Sequence, residues 1–200
     1  MFYPIMINTK KFNVVIFGGG DVGFRKAKTF LQYDMNVKVI SPNIAPKFKD
    51  IMDRIEYIQD VFKPEYIKEK SIVIGATSSR EINHGIYQEC NRKGILCNIV
   101  DDKEESDFII PSTFKQGPIV VGVSTEGNSP YFAAQLRREI MEICNEDMVE
   151  RVEEMGKIRK IVIKKCVDNE KRKTIFKELA YLNLQELKDR RIKYENCSRI

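Results

Sequence analysis

Short apolar runs punctuate the first hundred residues: FNVVIF (12–17), NVKVI (36–40), IEYIQ (55–59), SIVIGA (71–76) and ILCNIV (95–100). Each is followed by a turn and most by an amphipathic stretch. The segment from Val22 to Tyr33 sets Val22, Ala27, Phe30 and Leu31 on one helical face. Strand-length apolar runs alternating with such helices predict an α/β fold, a parallel sheet wound with crossover helices.

After Asp107 the pattern changes. FIIPSTF and PIVVGVST are joined only by KQG, too short for a parallel crossover, so they predict a hairpin or a sheet extension. GNSPYFAAQLRREIMEI follows, with Ser129 as N-cap and Pro130 at the first helical position. From Ser129 onward the chain reads as helices, with breaks near Asn145 and at DNEKRK (168–173) that leave three helices in the remainder. The first helix carries an apolar stripe of Phe132, Ala133, Leu136, Ile140 and Ile143, suited to cover by the tail or by a second subunit.

Composition narrows the class. Apolar residues are 42% and charged residues 32%, a globular balance, and no segment approaches the roughly 18 apolar residues of a membrane span. The lysines of MFYPIMINTKKF follow its apolar residues, the reverse of a secretory signal, so a cytoplasmic location is expected. Cys90, Cys97, Cys144, Cys166 and Cys197 are odd in number and form no CxxC, which fits reduced thiols. With His84 the only histidine, no Cys/His zinc site can be assembled. Residues 151–200 hold 15 Lys/Arg against 8 Asp/Glu, a balance of +7 that leaves −2 for residues 1–150. That asymmetry fits a solvated basic face or an anionic partner near the tail.

The chemistry starts at VVIFGGGDVGFRKA (14–27), where Gly18, Gly20 and Gly23 stand in G-x-G-x-x-G register between a predicted strand and a predicted helix. In that context the first glycine permits the tight turn, the second lets the backbone approach a pyrophosphate, and the third brings helix against strand. Free N–H groups and the helix dipole then hold the anion. The acid that commonly grips the adenosine ribose is replaced by Ser41 in VISPN. Ser41, Pro42 and Asn43 offer a hydroxyl, an amide and backbone groups, and no arginine stands beside them. NAD is the expected cofactor, while Lys47 and Lys49 keep NADP open.

Ligands of open parallel sheets bind beyond the carboxyl ends of the strands, which selects the loops at Gly18–Gly23, Thr77–Arg80 and Val100–Asp107. The last contains CNIVDDKEESDFIIPS (97–112), with five carboxylates in one turn. Asp101, first after the strand, is placed to accept a proton as hydride departs. From spacing alone it fits a turn or capping carboxylate equally well. Asp102, Glu104, Glu105 and Asp107 read as a solvated loop, and His84 as a surface or packing histidine.

FGGGDVGFRKA, VISPN, GATSS, CNIVDD, FIIPS and VSTEGNSP together, in this order and spacing, resemble the precorrin-2 dehydrogenase/sirohydrochlorin ferrochelatase family over residues 3–140, with a weaker correspondence in the tail. The resemblance implies a Rossmann domain (1–113), a dimerisation region (114–146) and a small basic helical domain (147–200), in a homodimer. It implies NAD-dependent oxidation of precorrin-2 to sirohydrochlorin, followed in some members by iron insertion. Asp101 matches the family's catalytic aspartate, and the family's cofactor contacts fall on Asp21, Val22, Pro42 and Asn43; the reading of the residues themselves adds Gly18, Gly20, Gly23, Ser41 and Thr77. Substrate contacts are expected at Ser124, Ser129 and Arg137. Two positions depart from the family pattern: Glu126 stands where a second glycine is usual and Ala134 where an arginine is, while Arg137 is retained. A tetrapyrrole polycarboxylate would be complemented by the basic tail. The alternative is a dinucleotide-sensing module whose basic tail binds nucleic acid. It lacks a clear helix-turn-helix, and neither nucleic acid nor membrane is the expected partner.

Overall fold

The computed structural model describes residues 1–100 and 102–200. Asp101 lies outside the described residues. The chain forms two compact units, Met1–Ile110 and Pro111–Ile200.

The first unit runs β1 (Asn13–Phe17), α1 (Asp21–Leu31), β2 (Val37–Ile40), a 3-10 helix (Pro46–Arg54), β3 (Ile55–Ile58), a 3-10 turn (Pro64–Tyr66), β4 (Ser71–Gly75), α2 (Arg80–Lys93) and β5 (Cys97–Ile99). All five strands are parallel, in the order β3-β2-β1-β4-β5. Val14 pairs with Val37 on one side and Ile72 on the other. The runs are apolar without interruption because both faces of the sheet are covered. Val14, Ile16, Val39 and Ile74 pack with Ala27, Phe30 and Leu31 of α1 and with Phe48 and Ile51. Val15, Phe17, Val73, Cys97 and Ile99 pack on the opposite face with Ile86 and Cys90 of α2. Val22, expected on the buried face of α1, is half-buried, since it sits in the first turn beside the open edge of the sheet. Ser79 caps α2 by accepting from Ile82 N–H, and Gly94 ends it at φ +64°.

The second unit holds β6 (Ser112–Gln116) and β7 (Ile119–Val123), an antiparallel hairpin closed by Gly117 at φ +55° and Pro118. Phe108 and Ile110, expected in the first hairpin strand, instead pack against the core of the first unit, and the strand starts only after Pro111. α3 (Pro130–Ile143) packs on both strands and buries Ala133. The rest of the expected stripe is less buried: Leu136 and Ile140 are half-buried, Phe132 is 54% exposed and Ile143 63%.

Three helices follow, α4 (Glu146–Lys165), α5 (Asn169–Leu179) and α6 (Leu184–Asn196). Within DNEKRK only Asp168 lies outside a helix, as the N-cap accepting from Glu170 and Lys171 N–H. A further break falls at residues 180–183, where Asn183 and Glu186 form a capping box that starts α6. Ile158, Val162, Cys166, Ile175, Leu179, Leu187 and Tyr194 form the core of this bundle. At its edge Glu154, 3% exposed, meets Lys157 at 2.9 Å and Arg191. Burial pushes the Glu154 carboxyl up, but the hydrogen bonds from Lys157 and Arg191 outweigh it and hold it below the usual glutamate value. The five cysteines are free. The Cys97 thiol is pushed upward by its hydrogen bond with Cys90 and by burial, so it stays protonated. Among the described residues no helix is long and apolar enough to cross a membrane.

Candidate dinucleotide site

At the carboxyl end of β1, Gly18 N–H donates to Ile40 O at 3.0 Å, tying the turn to β2. Gly18 holds φ +118°, and a Cβ there would collide with the carbonyl of Ala76. Gly23 is pressed just as closely on the carbonyl of Gly18. These two glycines are required by the chain's own packing. Gly20 differs: its φ is an ordinary −79°, and a Cβ there would meet nothing within 4 Å. It is also the N-cap of α1, and no side chain caps that helix. An open cradle before uncapped first-turn amides at the positive end of a helix suits an anionic group, and a dinucleotide pyrophosphate matches it. Asp21 and Val22, the first residues of α1, border this cradle.

The flank after β2 is fastened to the turn. Ala45 N–H donates to Gly19 O at 2.7 Å. Ser41, 8% exposed, donates its N–H to Ile58 O at 3.2 Å, and its carbonyl accepts from the Tyr57 hydroxyl at 3.0 Å. The Gln59 amide donates to Pro42 O at 3.1 Å. Pro42 and Asn43 are thereby held with exposed outer faces. After β4, Thr77 N–H and hydroxyl both donate to the Asn83 side-chain oxygen, at 3.1 and 2.8 Å, while the Asn83 amide returns a bond to Thr77 O at 3.2 Å. The structure thus brings Gly18, Gly20, Asp21, Val22, Gly23, Ser41, Pro42, Asn43 and Thr77 to one edge of one sheet. Tyr57, Gln59 and Asn83, which brace these loops, carry no motif; Asn83, four positions after the Ser79 cap, is the only one with a local hint.

The acidic turn after β5 is not the solvated loop its composition suggests. One Asp102 oxygen accepts from Glu104 and Glu105 N–H, both at 3.1 Å, and the other lies 3.7 Å from Arg80. Glu105 meets His84 Nδ1 at 2.5 Å, and His84 Nε2 lies 2.9 Å from the Gln88 amide. Asp107 accepts from Cys97 N–H at 2.8 Å. Ser106 accepts from Ile99 N–H at 2.9 Å and donates to Asp102 O at 2.6 Å. Three of the four acids therefore hold the loop to β5 and α2; Glu104 remains exposed as expected. The physical reason is remote: His84 and Arg80 lie about twenty residues earlier and face the turn only in the folded chain. On the same edge, hydrogen bonds from Lys63, Tyr66 and Val61 N–H hold the Asp60 carboxyl down at about 2.

The second unit carries the other expected residues. The Ser124 hydroxyl accepts from Glu126 N–H at 3.0 Å, and Ser129 caps α3 by accepting from Phe132 N–H at 3.3 Å. Glu126, where the family pattern has glycine, adopts φ +52°, the left-handed region that glycine occupies without strain. Half-buried Arg137 lies two turns along α3. Among the described residues no group of three His, Cys, Asp or Glu is arranged to hold a metal ion.

Residues 5–112 match a family described as "Putative NAD(P)-binding", and residues 116–142 match one described as sirohaem biosynthesis protein, central. Siroheme synthase 2 of Aeromonas hydrophila is 32% identical over 146 residues, covering 73% of this chain and 31% of that protein. Siroheme synthase of Nitrosomonas eutropha is 34% identical over 142 residues, covering 70% of this chain and 30% of that one. The chain thus spans about a third of the length of these curated relatives. The fold is shared with a solved structure, SirC, precorrin-2 dehydrogenase, at TM-score 0.76 and 18% identity, covering 98% of this chain and 100% of that one. With more than half of its length matched by the first model and the open glycine cradle inside that stretch, the chain belongs to the NAD(P)-binding family, and a central sirohaem-biosynthesis segment follows.

Proposed function

We propose that the chain is an NAD-dependent dehydrogenase that oxidises precorrin-2 to sirohydrochlorin in sirohaem synthesis. The carrying observation is the open cradle at Gly20 before the uncapped N terminus of α1, at the carboxyl edge of a β3-β2-β1-β4-β5 sheet. The sirohaem-biosynthesis match, the siroheme synthase relatives and the fold shared with a precorrin-2 dehydrogenase support the substrate.

In this reading Gly18 and Gly23 shape the turn, and Gly20, Asp21 and Val22 present backbone to the pyrophosphate. Ser41, Pro42 and Asn43 flank the ribose, and Thr77 closes the adjoining loop. The bound nicotinamide supplies the hydride acceptor, with NAD favoured over NADP. Asp101 takes the proton as the base. Ser124, Ser129 and Arg137 serve the substrate carboxylates, with Arg137 half-buried on α3. Residues 1–113 form the cofactor domain, 114–146 the dimerisation region of a homodimer and 147–200 the basic helical domain. Free thiols throughout fit the cytoplasm. Metal insertion into the product is a separate step, to be assayed separately.

The nucleic-acid alternative is not favoured. Much of the tail's positive charge is engaged within the bundle: Lys157 and Arg191 on Glu154, Lys173 on Glu170, Arg190 on Glu178, and Lys165 and Arg172 on backbone carbonyls.

The test is an anaerobic absorbance assay with precorrin-2 and NAD+. The wild type forms sirohydrochlorin, Asp101→Ala does not while still binding NAD+, and Gly20→Ala folds normally but binds the dinucleotide at least about ten-fold more weakly. Fe2+ added afterwards reports chelation. Precorrin-2 left untouched by a wild type that binds NAD+ would overturn the assignment.

A further inference from the structure

Near its start α2 carries a buried amide that the helix itself does not need. Its N terminus is already capped by the Ser79 hydroxyl, and its inward face packs through the apolar side chains of Ile86 and Cys90. Asn83, 8% exposed, serves something else. Three hydrogen bonds join its side chain to one residue outside the helix: Oδ1 accepts from Thr77 N–H at 3.1 Å and from the Thr77 hydroxyl at 2.8 Å, and Nδ2 donates to Thr77 O at 3.2 Å. Such a buried polar group, satisfied by a single partner, fixes that partner's position.

The peptide that Asn83 holds is the one on which the glycine turn rests. A Cβ on Gly18 would strike the carbonyl of Ala76 and crowd the amide nitrogen of Thr77, the two ends of one peptide group. Ala76 N–H donates in turn to the carbonyl of Phe17, the residue before Gly18, at 2.8 Å. The Ala76–Thr77 peptide is therefore held by β1 and the glycine turn on one side and by Asn83 on the other. Packing this close leaves no slack, so a shift of the peptide is passed to Gly18 and, two residues on, to the open cradle at Gly20.

We infer that Asn83 is a positioning residue of the dinucleotide site: through the Ala76–Thr77 peptide it holds the glycine turn in the shape that receives the pyrophosphate. The inference rests on the dinucleotide reading above. An amide suits the task because one group both accepts from Thr77 and donates to it, which a carboxylate or a hydrocarbon cannot do.

The experiment is calorimetric titration of the whole chain with NAD+, alongside urea unfolding of each variant. Wild type is compared with Asn83→Ala, which removes all three bonds, and with Asn83→Asp, which keeps the acceptor and loses the donor. Ile86→Val, a fully buried position of the same helix, controls for lost stability alone. A variant still folded at the titration temperature binds with unchanged affinity if only its stability has dropped. Asn83→Ala should weaken NAD+ about ten-fold or more, Asn83→Asp by less, and Ile86→Val not measurably. Affinity within about two-fold of wild type in a folded Asn83→Ala overturns the inference, as does an equal loss in Ile86→Val. Should Asn83→Ala fail to fold, Asn83→Asp decides: weakened binding supports the inference and unchanged binding overturns it. A folded wild type that binds no NAD+ removes the dinucleotide reading itself and the inference with it.

Discussion

The turn after β1 and the turn after β5 leave the same edge of one sheet and are held by different kinds of group. The first is made of backbone: Gly18 and Gly23 let carbonyls and amides approach where no side chain fits, and Ala45 N–H binds Gly19 O. The second is made of side chains: Asp102, Glu105, Ser106 and Asp107 each satisfy a backbone group or meet a cation or imidazole from α2. A backbone turn fails when atoms are added, whereas a side-chain turn fails by degrees as partners are removed. The first leaves its outer face open for a ligand; the second uses its carboxylates on its own architecture.

The largest test of that contrast is Gly18→Ala. The new Cβ meets the Ala76 carbonyl at a backbone angle that L residues avoid, so destabilisation of about 3 kcal/mol or more is expected in urea unfolding. A cost near zero would mean that the turn is not clamped by packing. Next comes Asp107→Ala, which leaves the N–H of fully buried Cys97 without its acceptor and should cost about 1–3 kcal/mol. His84→Ala removes only a half-exposed pair with Glu105 and should cost less than about 1 kcal/mol, with faster amide exchange at residues 102–107 as the local readout.

The smallest effect is expected from acid. Asp60 and Glu89, both held at about 2 by hydrogen bonds, Glu89 by those from Arg92 and Lys93, release protons more readily folded than unfolded. Their contribution is complete above the unfolded carboxylate range near pH 4 and is lost as pH falls from there toward 2. Asp60→Asn and Glu89→Gln should flatten the fall in melting temperature across that window, lowering it slightly at pH 7 and leaving it nearly unchanged near pH 2.

The parallel sheet, its five strands, the glycine turn and the Ser129–Pro130 helix start were legible because each rests on local signals: an apolar run of strand length, a glycine where no Cβ fits, a cap followed by proline. Such signals involve neighbours in the chain, so the sequence displays them directly. Other features were decided by partners far along it. Phe108 and Ile110 join the first core instead of the hairpin, because the strand begins only after Pro111 and an open core surface is available to them. The acidic turn looked solvated until His84, Arg80 and the N–H of Cys97 were brought against it. Asn83, Tyr57 and Gln59 brace the ligand-facing loops without any spacing that announces it. Apolar burial is set by periodicity and so was written along the chain; the pairing of a polar group depends on which donor or acceptor the fold delivers to it, and only the tertiary structure makes that choice.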